Sequence, residues 1–341
     1  MMRIVKGILL GTLAGLVSLV FLVGGLFYFQ TSRPVSDNPA TFRVDIQPGT
    51  TLRQFSIRLA EKNLIHSPSA FRILAYLKRK ESQIQVGEYD LSPSMLPGEI
   101  LGRITSGKTI LHPLTVPEGY RITEIAALLG QQGLGNPETF TKHTRDRSLI
   151  DSLGIPTDSL EGYLFPETYH FSKYTPERKI LQTMVETFKA RAVKPEYIQR
   201  AQALKFSFHE IITLASLIEK ETGVDEERKQ ISSVFHNRLT KNMRLQTDPT
   251  VIYAIRNFDG NIRKKDLSID SPYNTYRYEG LPPGPIANPG LKSILAALYP
   301  NQSEHLYFVS KKDGSHQLSS NLVEHNRAVR KYQLRKRSKR L

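Results

Sequence analysis

Between Lys6 and Arg33 no residue carries a charge, and Gly7 to Phe29 reads GILLGTLAGLVSLVFLVGGLFYF. About 20 apolar residues suffice to cross the hydrocarbon core of a bilayer as a helix. A cleavable export signal has a shorter apolar region, roughly 7–15 residues, followed by a small-x-small cleavage site. This segment is longer and ends on the bulky Tyr28-Phe29-Gln30. It is therefore expected to stay on the chain as a transmembrane anchor over residues 7–29, with its two terminal rings at the interface. Arg3 and Lys6 precede the span, and Arg33 and then Asp37 follow it. The positive-inside rule puts residues 1–6 in the cytoplasm and everything after the span on the outer side of the cytoplasmic membrane.

The 341 residues leave room beyond the anchor for two compact units, and a hydrophobic content of 39% is enough to give each a core. Residues 30–41 hold Pro, Ser, Asp and Asn and read as a linker. A weak internal repeat follows. Val44–Gly49 precedes apolar Leu52, Phe55, Ile57 and Leu59; Val116–Gly119 precedes Ile122, Ile125, Ala127 and Leu129. Each copy reads as a strand, a Gly turn and a helix of 3.6-residue period. Residues 42–114, with a helix at Phe71–Lys80, a strand at Val86–Leu91 and a short helix at Ile100–Ile104, form a small α+β module. Residues 115–334 form a larger α+β unit. Its expected helices are Pro176–Arg191 (Thr175 as N-cap), Phe208–Glu221, Glu226–Thr240, Leu291–Leu298 and Asn321–Leu334, with a strand at Leu306–Ser310. Residues 335–341 are a basic tail.

The formal charge of +15 suits a polyanionic neighbour, whether nucleic acid, an anionic membrane surface or an acidic wall polymer. No zinc-finger, RRM or helix-turn-helix signature accompanies it, which argues against nucleic acid. Without cysteine the chain has no disulfide, no thiolate nucleophile and no Cys-ligated metal. Its nine histidines form no HExxH or close His–carboxylate pattern, and there is no Walker loop, dinucleotide loop or GxSxG elbow. No metal and no cofactor are expected.

The most informative segment is Ser207–Thr222, SFHEIITLASLIEKET. Ser207 and Glu210 make a capping box that starts a helix. On a helical wheel Ile211, Ile212, Leu214, Ala215, Leu217 and Ile218 share a broad apolar face, while Thr213, Ser216 and Lys220 lie opposite. Glu219 falls inside the apolar sector and Glu221 on its flank. A carboxylate there must be paired or protonated; desolvation raises a carboxyl pKa, and an acid kept protonated can donate to a glycosidic oxygen. The alternative is a structural salt bridge to Arg228, Lys229 or Arg238. The wheel does not choose between the two glutamates.

Five runs in order complete the picture: ASLIEKET (Ala215–Thr222), VFHNRL (Val234–Leu239), MRLQTDPTVIY (Met243–Tyr253), YNTY (Tyr273–Tyr276) and GLPPGPIANPG (Gly280–Gly290), with EGYLFPETY (Glu161–Tyr169) upstream. Together they closely resemble the MltG (YceG-like) family of endolytic murein transglycosylases, whose layout also has an anchor and a small, LysM-like module ahead of the catalytic domain. The resemblance implies that Glu219, first Glu of the EKE triplet, is the catalytic acid/base. It implies an inner-membrane, single-pass enzyme, catalytic domain in the periplasm, that cuts the β-1,4 bond between N-acetylmuramic acid and N-acetylglucosamine inside nascent strands. The muramyl C6 hydroxyl would attack C1 and leave a 1,6-anhydro end. Peptidoglycan strands and penicillin-binding synthases are the implied partners.

An intramolecular hydroxyl is already in place, so one carboxyl can suffice where an ordinary glycosidase needs two. Glu161, Glu167, Glu221 and Asp248 stay open as a second. For substrate contacts the candidates are Glu221, Gln246, Asp248, Tyr163, Tyr273, Asn274 and Asn288: tyrosine rings can stack on sugars, and amides can bind acetamido groups. The Pro/Gly-rich Gly280–Gly290 run is expected to be a rigid loop lining a groove. Two other readings stay open: a muramidase that uses water as acceptor, and a non-catalytic scaffold that binds the wall.

Overall fold

A computed structural model describes residues 2–334; the basic run Arg335–Arg340 lies outside the described residues. The chain divides into two compact units, Met1–His112 with His170–Tyr174, and Pro113–Tyr169 with Thr175–Leu341.

The first unit begins with helix α1 (Met2–Ser32), in which Ile4–Ser32 is long and apolar enough to cross a membrane. Strand β1 (Phe42–Ile46), helices α2 (Leu52–Glu61) and α3 (Pro68–Leu77), strand β2 (Gly87–Leu91) and helix α4 (Pro97–Thr105) follow. β1 and β2 pair antiparallel, Phe42 opposite Leu91 and Ile46 opposite Gly87. Alternate residues Val44, Ile46, Tyr89 and Leu91 face one side, where they bury against Phe55, Leu59, Phe71, Ile100 and Ile104. The stretch after α1, read as a linker, is pinned. The Val35 and Ser36 N–H groups donate to the Pro93 carbonyl at 3.0 and 3.2 Å, Ser92 Oγ donates to the Asn38 carbonyl at 3.1 Å, and the Phe29 ring lies 5.9 Å from that of His66. The Pro93 carbonyl, distant in sequence, supplies the acceptor.

Strand β3 (Leu111–Thr115) leads to helices α5 (Ile122–Gln131), α6 (Pro137–His143) and α7 (Arg147–Ser152), and strand β4 (Thr168–Ser172) pairs with β3. Then come α8 (Glu177–Ala192), α9 (Pro195–Ala203), α10 (Phe208–Glu221), α11 (Asp225–Thr240), α12 (Asp248–Ala254), a 3-10 turn at Asp266–Ser268, α13 (Leu291–Leu298), the hairpin β5 (Tyr307–Ser310) and β6 (His316–Ser319), and α14 (Leu322–Val329) with a π turn at Arg330–Leu334. The mixture of helix and short paired strands is the α+β class read from the sequence. Helix α8 starts one residue later than expected: Pro176, with ψ 140°, is the N-cap rather than the first helical residue.

Helix α10 is the core of the larger unit, packed by α9, α11, α12 and α13. Its capping box forms as the sequence indicates, Ser207 Oγ accepting from the Glu210 N–H and Glu210 Oε2 from the Ser207 N–H. Ile211 through Ile218 are all buried, including Thr213 and Ser216, which lie opposite the apolar face. The two hydroxyls are tolerated because each has a partner. Thr213 donates to the His209 carbonyl at 2.9 Å; Ser216 donates to the Thr213 carbonyl at 2.7 Å and accepts from the Ile286 N–H at 3.0 Å.

Both copies of the repeat fold as strand, turn and helix, β1 to α2 and β3 to α5. Their turn glycines, Gly49 and Gly119, have φ of 80° and 76°. That left-handed conformation is open to glycine and strained for other residues.

Candidate active site

Three segments converge on the last turn of α10. The first is the second repeat turn, Pro117-Glu118-Gly119, tied to the end of the Pro-rich loop: the Gly119 N–H donates to the Asn288 carbonyl and the Asn288 N–H to the Tyr120 carbonyl, each at 2.9 Å. The second is Gly290, which caps α13. The third is Arg228 on α11.

The Glu219 side chain is only 5% exposed, and both of its oxygens are engaged. Arg228 Nη2 donates to Oε1 at 3.2 Å and the Gly290 N–H donates to Oε2 at 2.9 Å. This corrects the apolar setting expected from the wheel. A carboxylate so enclosed needs partners, and it has a guanidinium and a backbone amide. Arg228 is itself 6% exposed; it is held by Ser293 Oγ, which accepts from Nε at 3.0 Å, and by Asp225. Asp225 in turn pairs with Lys292. Glu118 completes the cluster, its Oε2 lying 3.8 Å from Arg228 Nη2.

Two glycines let these groups approach. A Cβ on Gly119 would meet Glu219 Cγ at 3.4 Å, and one on Gly290 would come within 1.9 Å of Glu118 Oε1. Lys220 closes the back of the turn, donating from Nζ to the Gly119 carbonyl at 3.2 Å.

The result is a pair of carboxyl groups around one guanidinium, one enclosed and one open, beside a backbone amide. Such a set can give and take protons at a bound polar substrate.

A family model described as the YceG-like family matches residues 44–331. The chain belongs to the YceG-like family. It is 37% identical over 331 residues to the endolytic murein transglycosylase of Bacillus subtilis, covering 91% of both chains. It is 31% identical over 352 residues to the protein of that name from Streptococcus pneumoniae serotype 2, covering 91% of this chain and 63% of that one. A crystal structure of a YceG-like protein from Listeria monocytogenes superposes with a TM-score of 0.59 at 35% identity, covering 85% of this chain and 99% of that chain.

The other residues read from the YceG-like motifs fall into separate places. Glu221 turns away from Glu219 to accept from Thr247 Oγ1, and burial pushes its carboxyl up to about 7. Asp248 is exposed, opens α12 and accepts from Tyr276 Oη at 2.6 Å. Gln246 is exposed with φ 50°, its N–H held by the Thr275 carbonyl at 3.1 Å. Tyr163 is buried, its hydroxyl 2.7 Å from His209 Nδ1. Tyr273 is half-buried against Tyr253, ring centroids 4.9 Å apart.

Asn274 and Asn288 are fully enclosed, and backbone groups occupy them. Asn274 Nδ2 donates to the carbonyls of Leu267 and Ile269, and its Oδ1 accepts from the Tyr276 N–H. Asn288 Oδ1 accepts from the N–H groups of Gly162 and Leu164, and its Nδ2 donates to the Tyr120 carbonyl and to Glu161. These asparagines hold loops, which takes the place of the sugar contacts expected of them. Polar side chains in Pro/Gly-rich segments look alike in sequence whether they face a ligand or the backbone.

Glu161 is buried, accepts from the Ile122 N–H at 3.1 Å, and is pushed up to about 7 by burial. Glu167 pairs with Arg191 at 3.1 Å. Of the Gly280–Gly290 run, Gly280–Pro283 lines a groove of about 630 Å³ with His209, Thr213 and His236, while Pro285–Gly290 is buried.

Sequence reasoning missed Glu118. Its signal lay in the second repeat turn, where Glu stands at the place of Pro48 in the first. Arg228 was named only as a partner for a structural salt bridge.

Proposed function

We propose that this chain is an endolytic murein transglycosylase anchored in the cytoplasmic membrane by α1. Its N-terminus is inside and both following units are on the outer, periplasmic face. It cuts the β-1,4 bond between N-acetylmuramic acid and N-acetylglucosamine within nascent strands, beside penicillin-binding synthases, and so ends their elongation. Family membership and the relatives' names support the reaction class, and the length of α1 supports the anchor. The β-α-α-β order of the small module is in keeping with a LysM-like, wall-facing role.

The observation that carries the reading is Glu219, enclosed on α10 yet met by Arg228, Gly290 and the open Glu118. Glu219 passes a proton to the leaving O4 as the C1–O4 bond breaks. It then takes the proton of the muramyl C6 hydroxyl as O6 bonds to C1. The proton count closes, and no water is consumed. Arg228 and the Gly290 amide are preset donors that keep the carboxylate aimed through both steps. Because the nucleophile is part of the substrate, its attack has the advantage of an intramolecular reaction.

The test is digestion of uncrosslinked glycan strands by the full-length protein in detergent, with mass spectrometry of the new ends. The expected products are 1,6-anhydromuramic ends from the wild type and, with Glu219→Gln, a loss of rate of about a thousandfold or more. Reducing muramic ends would instead make the protein a hydrolase. Undiminished cleavage by Glu219→Gln would remove Glu219 from the chemistry, and no cleavage by either protein would leave a wall-binding scaffold.

A further inference from the structure

Both oxygens of Glu219 already accept hydrogen bonds, yet the proposed reaction asks this group first to give up a proton. A second carboxyl stands beside it. The Arg228 Nη2 atom that reaches Glu219 Oε1 at 3.2 Å also lies 3.8 Å from Glu118 Oε2. Gly290 donates its N–H to one carboxylate and lies with its Cα against the other. Glu118 keeps 45% of its side chain exposed, against 5% for Glu219.

The charged groups facing Glu118 are Glu219 on α10, Asp225 and Arg228 on α11, and Lys292 on α13. Burial and then the charge of Glu219 push its carboxyl above the ordinary value; Arg228 and Lys292 pull it down, and Asp225 adds to the rise.

Resting on the transglycosylase reading, we propose that Glu118 is the second carboxyl of this site: it and Glu219 share one proton around Arg228, and Glu118 is the member through which that proton exchanges with solvent. Before cleavage the pair holds one proton. The pair gives it to O4 as C1–O4 breaks and recovers one from the C6 hydroxyl as C1–O6 forms. The enzyme returns to its starting state with no co-reactant. Glu118 acts through Glu219, as a positioning and proton-holding residue, so a two-carboxyl device persists although the nucleophile comes from the substrate.

The experiment measures kcat and KM for uncrosslinked strands from about pH 4 to 9, using full-length wild type, Glu118→Gln, Glu118→Asp and Glu219→Gln in detergent, with thermal melts of each. The sign follows from the pair. Replacing Glu118 by neutral glutamine removes the charge that keeps the last proton bound. The alkaline limb of the kcat profile then moves to lower pH, and kcat at neutral pH falls about ten- to a hundredfold with KM little changed. Glu118→Asp restores part of both. A Glu118→Gln profile that keeps the wild-type limb overturns the proposal, whether the rate is unchanged or lower by one factor at every pH. If Glu118→Gln fails to fold, the Glu118→Asp profile decides by the same criterion, an unmoved limb overturning the pair. The two readings fail separately: an inactive Glu219→Gln beside an unmoved Glu118→Gln sinks only the pair, while an active Glu219→Gln sinks both.

Discussion

The two copies of the strand-turn-helix repeat share a backbone and differ in what closes around it. In the first, the turn closes on itself. The Thr50 N–H donates to the Gln47 carbonyl at 3.1 Å, Thr51 and Gln54 cap α2 reciprocally, and a Cβ on Gly49 would meet open space. The second makes the same turn bond, from the Tyr120 N–H to the Pro117 carbonyl at 3.4 Å, and is gripped from outside as well. Asn288 grips Gly119 and Tyr120, Glu161 holds the Ile122 N–H at the start of α5, and Glu118 and Gly119 lie against the Arg228–Glu219 pair. One supersecondary unit thus serves once as plain scaffold and once as a wall of the site. The difference lies in residues far away in sequence.

The largest break in that contrast should come from Arg228→Met. Without the guanidinium, the buried Glu219 loses its cationic partner, and removing one partner of a buried pair costs about 3–5 kcal/mol. Cleavage should fall at least a hundredfold or so, and urea melts should show the stability loss; a variant melting like the wild type would deny the pair its role.

Asn288→Ala should come next. It deprives the Gly162 and Leu164 N–H groups of their acceptor and costs about 2–3 kcal/mol, since each unsatisfied buried group is expensive. Calorimetry should show the loss, whereas Gln54→Ala in the first copy should shift melting by only about 1 kcal/mol, the worth of a cap.

Glu161 sharpens the comparison through pH. Its folded pKa of about 7 lies above the ordinary 4.5. The folded state therefore binds more protons between those values, and stability falls as pH rises from 4.5 to 7. At about 1.4 kcal/mol per pH unit over that window, the decline from this group is on the order of 3 kcal/mol. Glu161→Gln should flatten that part of the slope in melts across the range, leaving the similar part due to Glu221. An unchanged slope would contradict the buried, raised carboxyl.

The smallest and most direct comparison pairs Gly49→Ala with Gly119→Ala. Each puts a Cβ at positive φ and should cost about 1 kcal/mol. Only Gly119→Ala, whose Cβ meets Glu219, should also lower kcat, by about tenfold. Equal activity of the two variants would show the second turn to be as neutral as the first.

Much of the fold was legible because local signals set it. The Ser207–Glu210 box and the apolar run after it bounded α10 at Phe208–Glu221, and α13 fell at Leu291–Leu298. The repeat was readable from two glycines and their following apolar residues. Less legible was what encloses α10: periodicity set Thr213 and Ser216 opposite the apolar face, but both are buried. The site was half legible. Resemblance selected Glu219, while nothing local reveals that Arg228, nine residues on, turns back to it, or that Glu118, from a turn a hundred residues upstream, joins them. Asn274 and Asn288 were misjudged for the same reason, since their partners are backbone groups that no pattern of side chains announces.

The pinned stretch after α1 limits where the protein can work. A free tether of a dozen residues would let the small module roam over roughly 20 Å. Fastened through Val35, Ser36 and Asn38 to Pro93 and Ser92, the module instead sits on α1 like a collar on a post. With α1 in a bilayer, the collar stays at a fixed height and tilts only as the post tilts. Whatever this module meets is then confined to the thin layer next to the lipid headgroups.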